Sequence, residues 1–181
     1  NVEEAEVRFP WKLLSLEAVP NFMGAGRWRG GGGVDWRAVN EGSAGLMASG
    51  SSDGDEIVPK GVLGGHDSPI CRTFIQRDGE LIRVKPHRMQ DLQPGDVLIK
   101  LSSGGAGVGD PRERDPLAVQ LDVRNEFITL AAAERIYGVA LDPESLEIDE
   151  ERTAALRAGP APDVEVVIDE ETLTVGLRER A

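Results

Sequence analysis

The stretch Val97-Leu98-Ile99-Lys100-Leu101-Ser102-Ser103-Gly104-Gly105-Ala106-Gly107-Val108-Gly109-Asp110-Pro111 decides the fold. Val97–Leu101 reads as a strand that feeds directly into a glycine block. Glycine leaves the backbone too free for a helix or strand interior, so the block is a loop. Up to Pro111 every regular element reads as β, and beyond it the spacing becomes helical. Asp115-Pro116 pairs an N-cap aspartate with a proline at the first helical position, for a helix to about Asn125. Thr129 caps a second helix carrying Ala132, Ala133, Ile136 and Tyr137, with Gly138 placed to end it. A third short helix is expected over residues 149–157. Strands followed by helices predict an α+β protein. Its N-terminal portion is a mainly antiparallel β sandwich or barrel-like sheet, followed by two to three short helices and a C-terminal tail or hairpin.

A second block lies upstream: Gly24-Ala25-Gly26-Arg27-Trp28-Arg29-Gly30-Gly31-Gly32-Gly33. Each block sits beside a strand pattern and is expected to be ordered. Glycine this dense implies close backbone approach or positive φ. Val34, Trp36, Ala38 and Val39 suggest a strand. Ile70–Gln76 and Leu81–Val84 form a hairpin about Asp78-Gly79, and Leu92-Gln93-Pro94-Gly95-Asp96 is a turn. Near the start Val7, Phe9, Trp11, Leu14, Leu16 and Ala18 roughly alternate with polar residues, which predicts a strand with a slip at Leu13-Leu14. A chain that opens inside a strand at Asn1 is expected to be part of something longer: a cut product, a split subunit or a chain lacking upstream residues. Residues 40–56 read as a long loop with a short apolar element at 44–48. After a linker at 159–162, Val164–Ile168 and Thr172–Leu177 suggest a hairpin or a tail. The segments are 1–111, β-rich with two Gly-rich loops; 112–158, helical; and 159–181, an acidic tail or hairpin.

The 181 residues are 40% hydrophobic but only 4% aromatic, so aliphatic side chains must fill the core. The net charge of −12 argues against nucleic acid or an anionic membrane as a partner. Residues 142–181 carry −8 of it and the body only −4. The single cysteine, Cys71, excludes an intrachain disulfide. No run approaches the ~20 apolar residues of a membrane span, and no basic-then-apolar leader opens the chain. A cytoplasmic location is expected.

Arg27 and Arg29, with the backbone of Gly30 and Gly31, are candidate anion or substrate contacts, because guanidinium forks and backbone N–H groups suit carboxylate or phosphate. The alternative is a tight connection whose glycines let backbones pack. A P-loop is excluded by the missing Gly-Lys-Ser/Thr ending, and a dinucleotide fingerprint by the missing strand–turn–helix. Trp28 reads as a packing or interface residue. The second block precedes a helix, but Asp110, Glu113 and Asp115 already place negative charge there, so a structural loop crossing a subunit interface is the preferred reading. His66-Asp67 follows Gly64-Gly65 on a loop, which makes these two the catalytic candidates. One His and one Asp fall short of the three or four ligands of a metal site, and none is assigned. His87 is assigned nothing. Cys71 reads as a small buried hydrophobe. Asp53, Asp55 and Glu56 lack EF-hand spacing.

In order and spacing these pieces resemble the C-terminal part of the hydantoinase B/oxoprolinase family. The resemblance is carried by Glu3–Arg8-Phe9-Pro10, Gly24–Gly31, Gly61-Val62-Leu63-Gly64-Gly65, Leu92-Gln93-Pro94-Gly95-Asp96-Val97 and Gly104–Pro111. Arg114-Asp115-Pro116, Asp122-Val123-Arg124 and Ala133–Tyr137-Gly138-Val139 extend it to about residue 157. The family includes the B-type polypeptides of ATP-dependent hydantoinases, part of 5-oxoprolinase, and large subunits of acetone and acetophenone carboxylases. The resemblance implies a piece of a B-type subunit in an ATP-dependent complex that opens a cyclic amide or imide. A ketone carboxylase of the same family is one alternative, and a non-catalytic β-rich binding or scaffold module another. It implies that this chain binds no cofactor, with ATP and a divalent metal on partner chains. The implied partners are the larger B-type portion, an A-type ATP-binding subunit and a small-molecule substrate.

Overall fold

The computed structural model describes residues 2–48 and 53–180; for residues 46–48 and 53 it describes backbone alone. The expectations placed on Asn1 and on the Asp53 side chain fall outside these limits. The chain divides into two compact units, Asn1–Ala18 with Val34–Val58 and Ile70–Ser102, and Val19–Gly33 with Pro59–Pro69 and Ser103–Ala181.

The first unit opens on α1 (Val2–Arg8) where a strand was expected. Glu3 and Glu4 sit in its first turn, and Arg8 reaches back to Glu4 at 2.7 Å, a pairing that supports a helix. Pro10 then disfavours helical backbone at Phe9 and starts the extended chain. In β1 (Trp11–Val19) the alternation places Trp11, Leu13 and Ser15 inward and Leu14 and Leu16 outward. Trp11 therefore does not share a face with Leu14 and Leu16 as the sequence pattern suggested, and it meets Trp36 edge-on at 6.4 Å.

The remaining strands of this unit are β2 (Gly33–Asn40), β3 (Gly45–Ala48), β4 (Arg72–Arg77), β5 (Glu80–Arg83), β6 (Met89–Leu92) and β7 (Val97–Ser102). The main sheet has the order β1-β2-β7-β4-β5 and stays open rather than closing into a barrel. β2, β7, β4 and β5 pair antiparallel. The β4–β5 hairpin turns at Asp78 and Gly79, with φ of 50° and 84°, as a type I′ turn requires. β3 and β6 form a separate two-stranded ladder. Ile75, Val84 and Leu92 form the core, with Trp11 and Leu98 against them. The Pro94-Gly95 turn is locked by Asp96, whose carboxylate accepts from Arg77 at 2.9 and 2.6 Å and from the Gln93 N–H at 2.8 Å.

The second unit carries the helices α2 (Pro116–Arg124), α3 (Leu130–Arg135) and α4 (Glu150–Ala158), then the hairpin β8 (Val164–Asp169) and β9 (Thr174–Glu179). Asp115, Thr129 and Asp149 cap them by accepting from Leu117, Ala132 and Arg152 N–H groups at 3.0, 3.2 and 2.9 Å. At the other end of α4, Arg112 donates to the carbonyls of Leu156 and Gly159, a cation where the helix dipole favours one. The core gathers Met23, Val119, Val123, Ile128, Ile136, Tyr137, Val139, Leu141 and Val164. Burying each large apolar side chain contributes about 1.5–3 kcal/mol.

Candidate functional site

The glycine segments 24–32, 61–66 and 104–109 lie side by side in the second unit and form a backbone layer. Gly24 donates its N–H to the Gly105 carbonyl at 2.8 Å, and His66 to that of Ala25 at 2.7 Å. Gly107 donates to His66 at 2.9 Å, Val62 to Gly107 at 3.2 Å, and Gly109 to Val62 at 2.9 Å. Trp28 and Val108 exchange N–H···O bonds at 3.0 and 2.9 Å. The strips approach too closely for side chains. A Cβ on Gly24 would sit 2.5 Å from the His66 carbonyl oxygen and 2.6 Å from the Gly107 nitrogen. One on Gly26 would sit 2.6 Å from the Val108 nitrogen. Gly30, Gly61, Gly65, Gly104 and Gly107 face neighbouring backbone more closely still. At these positions contact distance requires glycine, and the amides of Gly24, Gly30, Gly105 and Gly107 are occupied by carbonyls of the same layer. Gly31 is different: nothing lies within 4 Å of where its Cβ would be.

His66 belongs to this layer through its backbone, and its side chain reaches the surface. Surrounding protein still strips enough water from the ring to hold the imidazole below the usual histidine value, and Arg180 adds to this. Asp110, Asp163 and Asp67 oppose the shift. Asp67 spends its carboxylate elsewhere: Lys60 Nζ lies 2.8 Å from one oxygen and the Gly61 N–H donates to the other at 2.9 Å. These two bonds, Lys60 first, hold its carboxyl below the usual range. The pair adjacent in sequence thus stands at the surface, with Asp67 fastening the loop at Lys60-Gly61.

Arg29 forms a bidentate pair with Asp122, at 2.9 and 2.8 Å, and lies 4.7 Å over the Phe127 ring. Its Nη1 also donates to the Gly30 carbonyl at 2.9 Å. Arg114 shares the same carboxylate at 2.8 Å and donates to the Arg27 carbonyl at 3.1 Å. The three charges are nearly buried, with Arg29, Asp122 and Arg114 side chains 18%, 7% and 12% exposed. Hydrogen bonding to Asp122 raises the Arg29 pKa further, so its charge is permanent. Beside this cluster, burial pushes the Tyr137 phenol up to about 12. Arg27 points outward, with Glu113 3.8 Å away.

Sequence reasoning did not single out Lys60, Asp122 or Arg114 as partners of the candidates. Asp122 left a signal: with Val119 and Val123 it occupies the buried face of α2, where a carboxylate needs a cation. Among the described residues, no group of three or more His, Cys, Asp or Glu side chains is placed to hold a metal ion. Nor is any helix long and apolar enough to cross a membrane.

A family model described as hydantoinase B/oxoprolinase matches residues 1–111. The chain is 32% identical over 164 residues to the B-type polypeptide of a putative D-/L-hydantoinase from Pseudomonas sp. strain NS671, covering 86% of this chain and 26% of that one. It is 29% identical over 163 residues to the beta polypeptide of caprolactamase from Pseudomonas jessenii, covering 87% and 28%. The crystal structure of the ATP-dependent caprolactamase from that organism superposes with a TM-score of 0.73 at 25% identity, over 88% of this chain and 28% of that chain. The nucleotide-free structure of acetone carboxylase shares the fold, with a TM-score of 0.71 at 22% identity over 87% and 26%. The chain thus spans about a quarter of the length of the relatives it matches. With its ordered glycine strips and a family-model match over residues 1–111, more than half of its length, this chain belongs to the hydantoinase B/oxoprolinase family.

Proposed function

We propose that this chain is the C-terminal part of a B-type subunit in a cytoplasmic, ATP-dependent complex that opens a cyclic amide or imide. The observation that carries the reading is the continuous similarity to the hydantoinase and caprolactamase polypeptides over 86–87% of the chain. Its chemistry has a shared logic: an unstrained amide is a poor electrophile, and ATP supplies the activation by phosphorylating its oxygen. ATP and the divalent metal belong to partner chains in this reading, the nucleotide to an A-type subunit. The amides of Gly24, Gly30, Gly105 and Gly107, bonded to carbonyls of the same layer, are not available to a phosphate.

The chain's own contribution is a rigid wall. Arg29, held by Asp122, and the backbone of Gly30 set its position, while Arg27 and Gly31 form the outward rim where an anionic substrate group meets it. His66 and Asp67 stand on the neighbouring strip. Arg27→Ala is expected to raise KM with little change in kcat. Intact-mass measurement of the native complex tests the assembly: a larger B-type polypeptide and an A-type chain should accompany this one. A stable monomer without them would refute the reading. Sequence similarity to the alpha subunit of acetone carboxylase from Xanthobacter autotrophicus, 27% identical over 199 residues, supports a second reading, ATP-dependent carboxylation of a ketone. Bicarbonate incorporation without ring opening would select it.

A further inference from the structure

Val62, Leu63, Gly64 and Gly65 form a tight turn closed by the Gly65 N–H on the Val62 carbonyl at 3.0 Å. Its central residues have φ of 54° and 92°, both left-handed. Such turns favour Asn, Asp or Gly at the first of these positions, because any Cβ crowds the following carbonyl oxygen there, glycine has none, and Asn and Asp offset the cost by local hydrogen bonds. Here the position holds Leu63, which is 84% exposed. Leu63 therefore holds a left-handed backbone that costs about 1–2 kcal/mol, and its side chain gains little burial within this chain in return.

The same strip places a second apolar feature beside it. Trp28 and Val108 are bridge partners, and Val108 and Val62 are bridge partners in turn. Bridged residues project to one side of a ladder, so Trp28, Val108 and Val62 form a row across three chain segments. They are 67%, 37% and 52% exposed. Tryptophan is among the residues most enriched at the energetic centre of interfaces.

We propose that the Leu63 tip and the Trp28–Val108–Val62 row form a docking surface for the remainder of the B-type polypeptide. The identity of the occupant rests on the reading in the previous subsection. The relatives carry nearly three quarters of their length outside the region matched here. The surface belongs to the glycine layer, whose backbone bonds make it rigid before docking, so little ordering is lost on contact.

The test uses the full 181-residue chain, co-expressed with the larger B-type polypeptide of its own organism, with captured chains identified by intact mass. Leu63→Asn places the preferred residue before Gly64, so it should leave the thermal midpoint unchanged or raised. It should nevertheless weaken capture about tenfold or more, the loss expected for one leucine side chain that fails to bury. Trp28→Ser should weaken capture similarly. Stability that rises while assembly falls is an outcome that a purely structural role for Leu63 does not produce. Equal capture by wild type and both variants would overturn the docking surface and leave the proposed function standing. If wild type captures no B-type polypeptide, both fail. If wild type instead forms a dimer in sedimentation that Leu63→Asn dissolves, the occupant is a second copy and the proposal is overturned.

Discussion

Gly24→Ala and Gly31→Ala make the same chemical change in one glycine block, and the structure predicts opposite results. The Cβ added at Gly24 lands 2.5 Å from the His66 carbonyl oxygen and 2.6 Å from the Gly107 nitrogen. Those two atoms are the ends of the Gly107 N–H···O=C His66 bond of 2.9 Å, so the methyl group wedges into it. Losing one or two such bonds costs about 0.5–1.5 kcal/mol each, and overpacking adds about 1–3 kcal/mol. The sum, about 1.5–6 kcal/mol, is a large part of the 5–15 kcal/mol typical of a domain. At Gly31 nothing lies within 4 Å. The same substitution there is expected to be neutral or to stabilise by up to about 1 kcal/mol, because alanine restricts the unfolded chain. Urea denaturation reads the difference. With a slope of about 1–3 kcal/mol per molar, the Gly24→Ala midpoint should fall about 0.5 M or more below that of Gly31→Ala. Coincident midpoints at equal slopes would refute the account of the glycine layer.

Asp122→Ala should destabilise by about 3–5 kcal/mol in thermal or chemical unfolding, because it leaves Arg29 and Arg114 without their shared carboxylate. Arg77, then the Gln93 N–H, depress the Asp96 carboxyl. The stability this gives is present above the unfolded value of about 3.9 and is lost as pH falls through the lower folded value; Asp96→Asn should flatten acid unfolding in that window. His66 is depressed as well, so it favours the fold fully above about 6.5 and loses that contribution as pH falls below it. An NMR titration should place its midpoint below 6.5, and Arg180→Ala should move it upward.

The helix boundaries were legible because they are local chemistry. Asp115-Pro116 and Thr129 were readable as caps, and the structure bonds both to the expected turn; the helix expected over 149–157 also forms, with Asp149 as its cap. Asp78-Gly79 was equally legible. The start of the chain was not, because alternation at Val7, Phe9 and Trp11 competed with the Glu4–Arg8 pair and the break at Pro10. Glycine density announced close backbone approach. It did not announce which strips would meet, since segments around 24, 65 and 107 are far apart in sequence. The same distance hid the partner of Arg29: Asp122 lies 93 residues away. His66 and Asp67 were candidates together because they are adjacent on a loop, but the partners of the Asp67 carboxylate, Lys60 and Gly61, were not legible from that adjacency.

The most direct measurement is turnover by the native assembly, purified with and without this chain, on hydantoin, caprolactam and 5-oxoproline. The account predicts ring opening that requires ATP, disappears when this chain is removed and returns when it is added back. Undiminished ATP-dependent ring opening without the chain would contradict it.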